Sequence, residues 1–199
     1  MKKSTVLANL LKETKNKKYM TARTAAALDW NRKNISKLFE DKSYKVSEPA
    51  PSGAKIGFGN IYAFQYIPKN KDTLPYYDRF PLALMIEPST ESDGVLGINF
   101  HYLSPTKRAQ FMLALYDFEE QIGKQKNTKL NVSYSDLVSN YALRFYKPCI
   151  KLYLLNHIVP NPFYKVPSDE WNMMLFLPTQ RFVKATDTKV WRASARMAG

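Results

Sequence analysis

The residues of this chain best suited to chemistry are cations set among aromatics, rather than nucleophiles set beside bases. From Lys69 to Arg79 the sequence runs Lys-Asn-Lys-Asp-Thr-Leu-Pro-Tyr-Tyr-Asp-Arg, so Lys69, Lys71 and Arg79 surround Tyr76 and Tyr77 in one polar connection. Exposed aromatics stack on any base while nearby cations hold phosphates, which binds nucleic acid without reading its sequence. The same residues have a plainer use, with Tyr76 and Tyr77 covering the end of a sheet and Asp78 paired with Arg79. A second pair, Lys107 and Arg108, follows Ser104-Pro105 and falls in the first turn of a predicted helix. Cations there oppose the helix dipole. Either a bound phosphate or a neighbouring carboxylate such as Glu91 or Asp93 would remove the conflict. A third set lies near the C-terminus: Arg181, Lys184, Lys189, Arg192 and Arg196. Spacings of three and four put the last three near one face of a predicted helix, opposite Val190.

Catalytic constellations are sparse by comparison. His101 and His157 have no histidine four residues away, and His101, inside the strand-like phrase NFHYL, is expected to be a hydrogen-bonded structural residue. No Walker loop, GxGxxG, GxSxG or HExxH pattern occurs. Glu13-Thr-Lys15 and Glu40-Asp41-Lys42 match half of a nuclease motif but lack an acidic partner on a preceding strand. The single cysteine, Cys149, permits no internal disulfide and sits between Pro148 and Ile150, a context for packing. No metal, cofactor or small-molecule substrate is expected.

Charge points the same way as the basic clusters. The net charge is +13, and it is uneven: residues 1–48 carry 12 Lys/Arg against 5 Asp/Glu, and residues 181–199 carry 5 against 1. The body between them carries 13 against 11. A nearly balanced body with two basic ends reads as a folded module whose ends meet a polyanion, although a cationic surface serving solubility alone has the same composition. No run reaches the roughly 18 apolar residues of a membrane span, and the N-terminus lacks the features of a signal peptide.

The elements that must position these residues are expected to be α+β. Ser4 and Thr21 are candidate caps for two helices in residues 1–45, the second amphipathic with Arg32, Lys33 and Lys37 off its apolar stripe. Residues 46–55 read as a linker, and 56–199 as the body. Ile61–Ile67 alternates, with Tyr62, Phe64 and Tyr66 on one face and Ala63 and Gln65 on the other. Phe80–Ile86 reads as a strand buried on both faces, and Val95–Leu103 as a third strand entered through Asp93-Gly94. Trp171–Leu177 is a fourth candidate strand. With helical segments over 105–121, 134–157 (interrupted at Pro148) and from Thr186 onward, the pattern suggests a small antiparallel SH3-like β-barrel with flanking helices and a helical N-terminal arm.

The phrases DTLPYYDRFPLALMIE (72–87), GVLGINFHYL (94–103) and EWNMMLFLPTQRFVKATDTKVWRASARM (170–197) resemble the DNA end protector family, virion proteins of T-even-type tailed bacteriophages. The resemblance covers roughly residues 56–199. It implies a non-enzymatic virion protein, also present in the host cytoplasm during assembly and after DNA entry. Such a protein would bind the end of the packaged double-stranded DNA without sequence preference and shield it from host exonuclease. Its further partners would be phage portal, neck or tail proteins, with no membrane involved. A structural connector of the neck, tail or baseplate is the alternative.

Overall fold

Alternating residues build the sheet, and the computed structural model describes it within residues 56–123, 129–168, 170–176 and 179–198. The expected N-terminal arm (1–45) and linker (46–55) lie outside the described residues. Strands β1 (Ile61–Tyr66), β3 (Leu82–Pro88), β4 (Gly94–Asn99), β5 (Ile150–Leu154) and β6 (Ile158–Lys165) form one antiparallel sheet in the order β5-β4-β3-β1-β6. The register lines up Ile61, Leu84, Ile98 and Ile150 across four strands. This row faces a core completed by Phe111, Met112 and Leu115 of helix α1 (Pro105–Gln121). Each fully buried side chain of this size stabilises by about 1.5–3 kcal/mol.

The opposite face carries its own cluster, in which Tyr153 meets Phe64 and Tyr66 edge-on at centroid distances of 5.1 and 5.0 Å. β3 therefore contributes Leu82, Leu84 and Ile86 to one face and Ala83 and Met85 to the other, as its continuous apolar sequence predicts. The expected α+β class holds. β5 and β6 end the sheet without pairing to each other among the described residues, so it is a curled half barrel. Closure into an SH3-like barrel is not seen in this strand order.

Two expectations need correction, and one strand was not anticipated. The segment after Pro148 is not helical: a 3-10 helix spans Arg144–Cys149, and β5 follows, paired with β4. Burial of Tyr153 on the face opposite Ile150 fixes a period of two there. The strand expected over Trp171–Leu177 is not formed within its described residues, 171–176. Trp171, Met174 and Leu175 are buried at spacings of three and four, and Trp171–Met174 forms a short helix, here α3 because α2 is Tyr134–Ser139. Finally β6, which the sequence reading passed over, contains Pro160 and Pro162. It is an edge strand, and its register with β1 shifts between Phe64↔Phe163 and Gln65↔Val159, so both prolines fall in the irregularity, where no ladder donor is needed.

Candidate nucleic-acid interface

A buried carboxylate organises the basic surface. Tyr77–Asp78 (β2) pairs antiparallel with Phe182–Val183 (β7), which joins the 69–79 connection to the C-terminal segment. Asp78 Oδ1 accepts from the backbone N–H groups of Phe80 (3.0 Å) and Arg181 (3.2 Å). Its Oδ2 accepts from Asn99 Nδ2 at 3.2 Å and from His101 Nδ1 at 2.6 Å. The strand β4 ends at Asn99, whose side chain caps a single 3-10 turn, Phe100–Tyr102, and that turn aims His101 inward. Asp78 therefore pairs with His101 and not with its neighbour Arg79.

The electrostatics of this pair follow from burial. Desolvation pushes the Asp78 carboxyl upward, but His101 and the two backbone donors outweigh it and hold the group below the usual carboxylate range. Desolvation pulls the His101 imidazole down; Asp78 opposes this, while the nearby Arg108 charge adds to it. A neutral imidazole then donates from Nδ1 to Asp78 and accepts at Nε2 from the Thr179 hydroxyl, 3.0 Å away. This Asp–His–Thr chain has the connectivity of a nucleophile relay. His101 is fully buried, however, and the chain works as a clamp on the C-terminal segment. Trp191 Nε1 closes the clamp by donating to the His101 carbonyl at 2.9 Å.

Arg108 belongs to this interior. It is 1 % exposed, and its guanidinium donates to the carbonyls of Leu103 (2.9 Å) and Leu175 (3.0 Å) and to Gln180 Oε1 (3.3 Å). Burial lowers its pKa to about 10, against the pull of Asp78 and Asp187, so it stays charged at neutral pH. The expectation that Arg108 meets DNA is therefore corrected, and the conflict at the helix start is resolved by backbone carbonyls rather than by phosphate, Glu91 or Asp93. Lys107 beside it is exposed. Tyr76 is also corrected in part. It is half-buried with its ring 6.1 Å from that of Tyr102 and packs on the core, which leaves it poorly placed to receive a base.

The remaining cations fall into two groups. Beyond Asp78↔Phe182 the register brings Arg79 and Arg181 to facing positions, with the Arg79 N–H donating to the Arg181 carbonyl at 2.8 Å. Both are exposed. Like charges directly across a ladder are unfavourable, and among the described residues neither has a carboxylate within ion-pair distance. Lys184 occupies the left-handed region (φ 67°). Its Nζ donates to the carbonyls of Lys71 (3.0 Å), Asp72 (2.8 Å) and Leu74 (3.3 Å), so it fastens the loop that carries the exposed Lys69 and Lys71.

The second group stands on helix α4 (Asp187–Met197), capped by Thr186. Val190 and Ser194 face inward, and Lys189, Arg192 and Arg196 line a depression of about 380 Å³ with Thr186, Thr188 and Ala193. The predicted spacing is thus realised as three cations around one hollow. Sequence reasoning did not anticipate Thr179, Gln180 and Asp187 as fasteners, because only the fold brings them to Asp78, His101 and Arg108. Tyr141, inside the helical segment expected over 134–157, lies beyond the end of α2 and is 71 % exposed.

Among the described residues no group of His, Cys, Asp and Glu stands close enough to hold a metal ion, and no helix is long and apolar enough to cross a membrane. Burial pushes the Cys149 thiol up to about 12, which keeps it protonated and unreactive. A family model described as the phage T4 terminal DNA protecting protein matches residues 2–195. The chain belongs to that family. The match starts at residue 2, so the N-terminal third, where the sequence offered no recognisable phrase, lies within the family's span. Nothing among curated proteins or solved structures matches significantly.

Proposed function

We propose that this protein is a non-enzymatic virion component that sits on the terminus of the packaged double-stranded DNA and occludes it from host exonuclease. Membership of a family named for terminal DNA protection supports the DNA partner. The observation that carries the reading is the facing pair Arg79–Arg181, held rigidly by the buried Asp78 and exposed without a carboxylate among the described residues. A ladder position that tolerates two like charges is relieved by a polyanion. Lys69, Lys71 and Lys184 extend that surface, Lys107 stands at the start of α1, and Lys189, Arg192 and Arg196 form a second cationic surface around an open hollow.

The sequence carries no helix-turn-helix, zinc-finger or RNA-binding signature, so binding follows charge and shape without sequence preference. Affinity falls with salt, with a slope of log K against log salt of about −4 to −7 if five to eight phosphates are neutralised. The protein acts in the virion, next to portal and neck proteins, and then in the host cytoplasm when the end enters. The direct test is digestion of linear duplex by a processive double-strand exonuclease with and without the full chain. Saturating protein should lengthen the survival of the ends at least tenfold with no metal added to the protein. Digestion at the unprotected rate would contradict the proposal and favour a neck or tail connector.

A further inference from the structure

We propose that Tyr141, Arg144 and Phe145 form a stacking platform for the terminal base of a DNA end, a site that rests on the end-binding reading above. Tyr141 is 71 % and Phe145 42 % exposed, yet their rings meet edge-on at 5.8 Å with an interplanar angle of 87°. The Arg144 guanidinium lies 4.5 Å from the Tyr141 centroid and 5.4 Å from that of Phe145, so one cation is shared by two rings.

The backbone beneath is firmly held. Asn140 Oδ1 accepts from the N–H groups of Ala142 (2.8 Å) and Leu143 (3.2 Å), and the Leu143 side chain is fully buried. Tyr146 stacks on Phe111 at 4.2 Å, which anchors the far side of the turn to α1. A rigid turn that buries its aliphatic residue and displays two rings and a guanidinium is built for a flat, electron-rich, anionic partner. A nucleobase with its phosphate has that chemistry: ring faces and guanidinium planes stack on bases, and the charge meets the backbone. An apolar protein surface would instead call for exposed aliphatics, and here Leu143 is turned inward. Tyr76, by contrast, is half-buried and packs on the core.

The test uses the full chain and linear duplex carrying 2-aminopurine at its 3′-terminal nucleotide, with closed circles as the reference for binding away from ends. Wild-type protein should quench the terminal 2-aminopurine and leave an internal one unchanged. Tyr141→Ala/Phe145→Ala should abolish the quench and weaken linear-DNA binding by about tenfold, with affinity for circles held within twofold. Tyr141→Phe should behave as wild type, and an unchanged thermal melt shows that the variants fold. Persistence of the quench in the double variant would overturn the platform. So would a double variant that binds ends normally but fails to enter phage particles, which would make this patch a protein-docking surface. If wild-type protein binds circles as well as linear duplex, the end-binding reading itself fails and the platform falls with it.

Discussion

The C-terminal segment turns one side into the protein and the other to solvent, and the two sides treat charge in opposite ways. Inside, Arg108 and Asp78 are enclosed by Leu103, Leu175, Gln180, His101 and Thr179, with the half-buried Asp187 accepting from Gln180, and their donors and acceptors meet at hydrogen-bonding distance. Outside, Arg79 faces Arg181, and Lys189, Arg192 and Arg196 share one hollow, with no carboxylate in ion-pair range among the described residues. The same residue types serve both sides. What differs is whether the fold supplies hydrogen-bonding partners for the charged groups, and the side where it leaves cations facing solvent is where an external polyanion fits.

Breaking the inner side should cost the most. Asp78→Ala leaves His101, Asn99 and two backbone N–H groups buried without their acceptor, and should destabilise the fold by about 3–5 kcal/mol in denaturant melts. Arg108→Met keeps the volume and removes the charge. It leaves two carbonyls buried and should cost about 2–3 kcal/mol. Arg79→Ala/Arg181→Ala, on the outer side, should leave stability unchanged or slightly higher, because the like-charge contact is gone. It should reduce the salt slope of DNA binding by about 2 and lower affinity at least tenfold at moderate salt.

The inner side also sets an acid limit. Burial holds the folded His101 imidazole below its ordinary value, so as pH falls the unfolded chain takes up that proton first. The melting temperature should be flat above about pH 7 and decline below about pH 6.5. Asp78, whose folded carboxyl is held below the ordinary value, adds a further loss as pH falls below about 4. A His101→Gln variant should lose the first of these two steps in a pH series of melts. The smallest effect belongs to Lys107→Ala, which should change stability by less than about 0.5 kcal/mol and the salt slope by about 1. A loss of stability like that of Arg108→Met would erase the distinction between the two neighbours.

How far the sequence alone exposed this contrast depended on range. Period-two alternation in Ile61–Tyr66 and the continuous run before Glu87 were legible because each strand's faces are written locally. Ser104-Pro105 likewise marked the start of α1. β6 was obscured by Pro160 and Pro162, because a proline in an edge-strand irregularity looks the same in sequence as one in a loop. Lys107 and Arg108 were indistinguishable by type. Only the contact of Arg108 with Leu175 and Gln180 separates them, and no spacing rule carries that information. Asp78 with His101, 23 residues apart, and His101 with Thr179, 78 apart, are products of topology alone.

The central claim is that the protein binds a DNA end, with the outer cations holding the phosphates beside it, and competition between linear and circular DNA is its sharpest test. Labelled short linear duplex would be challenged with equal masses of unlabelled short linear and closed-circular DNA across a salt series. Linear fragments should compete at least tenfold better than circles, and the advantage should persist as overall affinity falls with salt. Equal competition by circles would make the protein a general polyanion binder, and absence of binding at moderate salt would assign its basic surface to a protein interface; either result contradicts the claim.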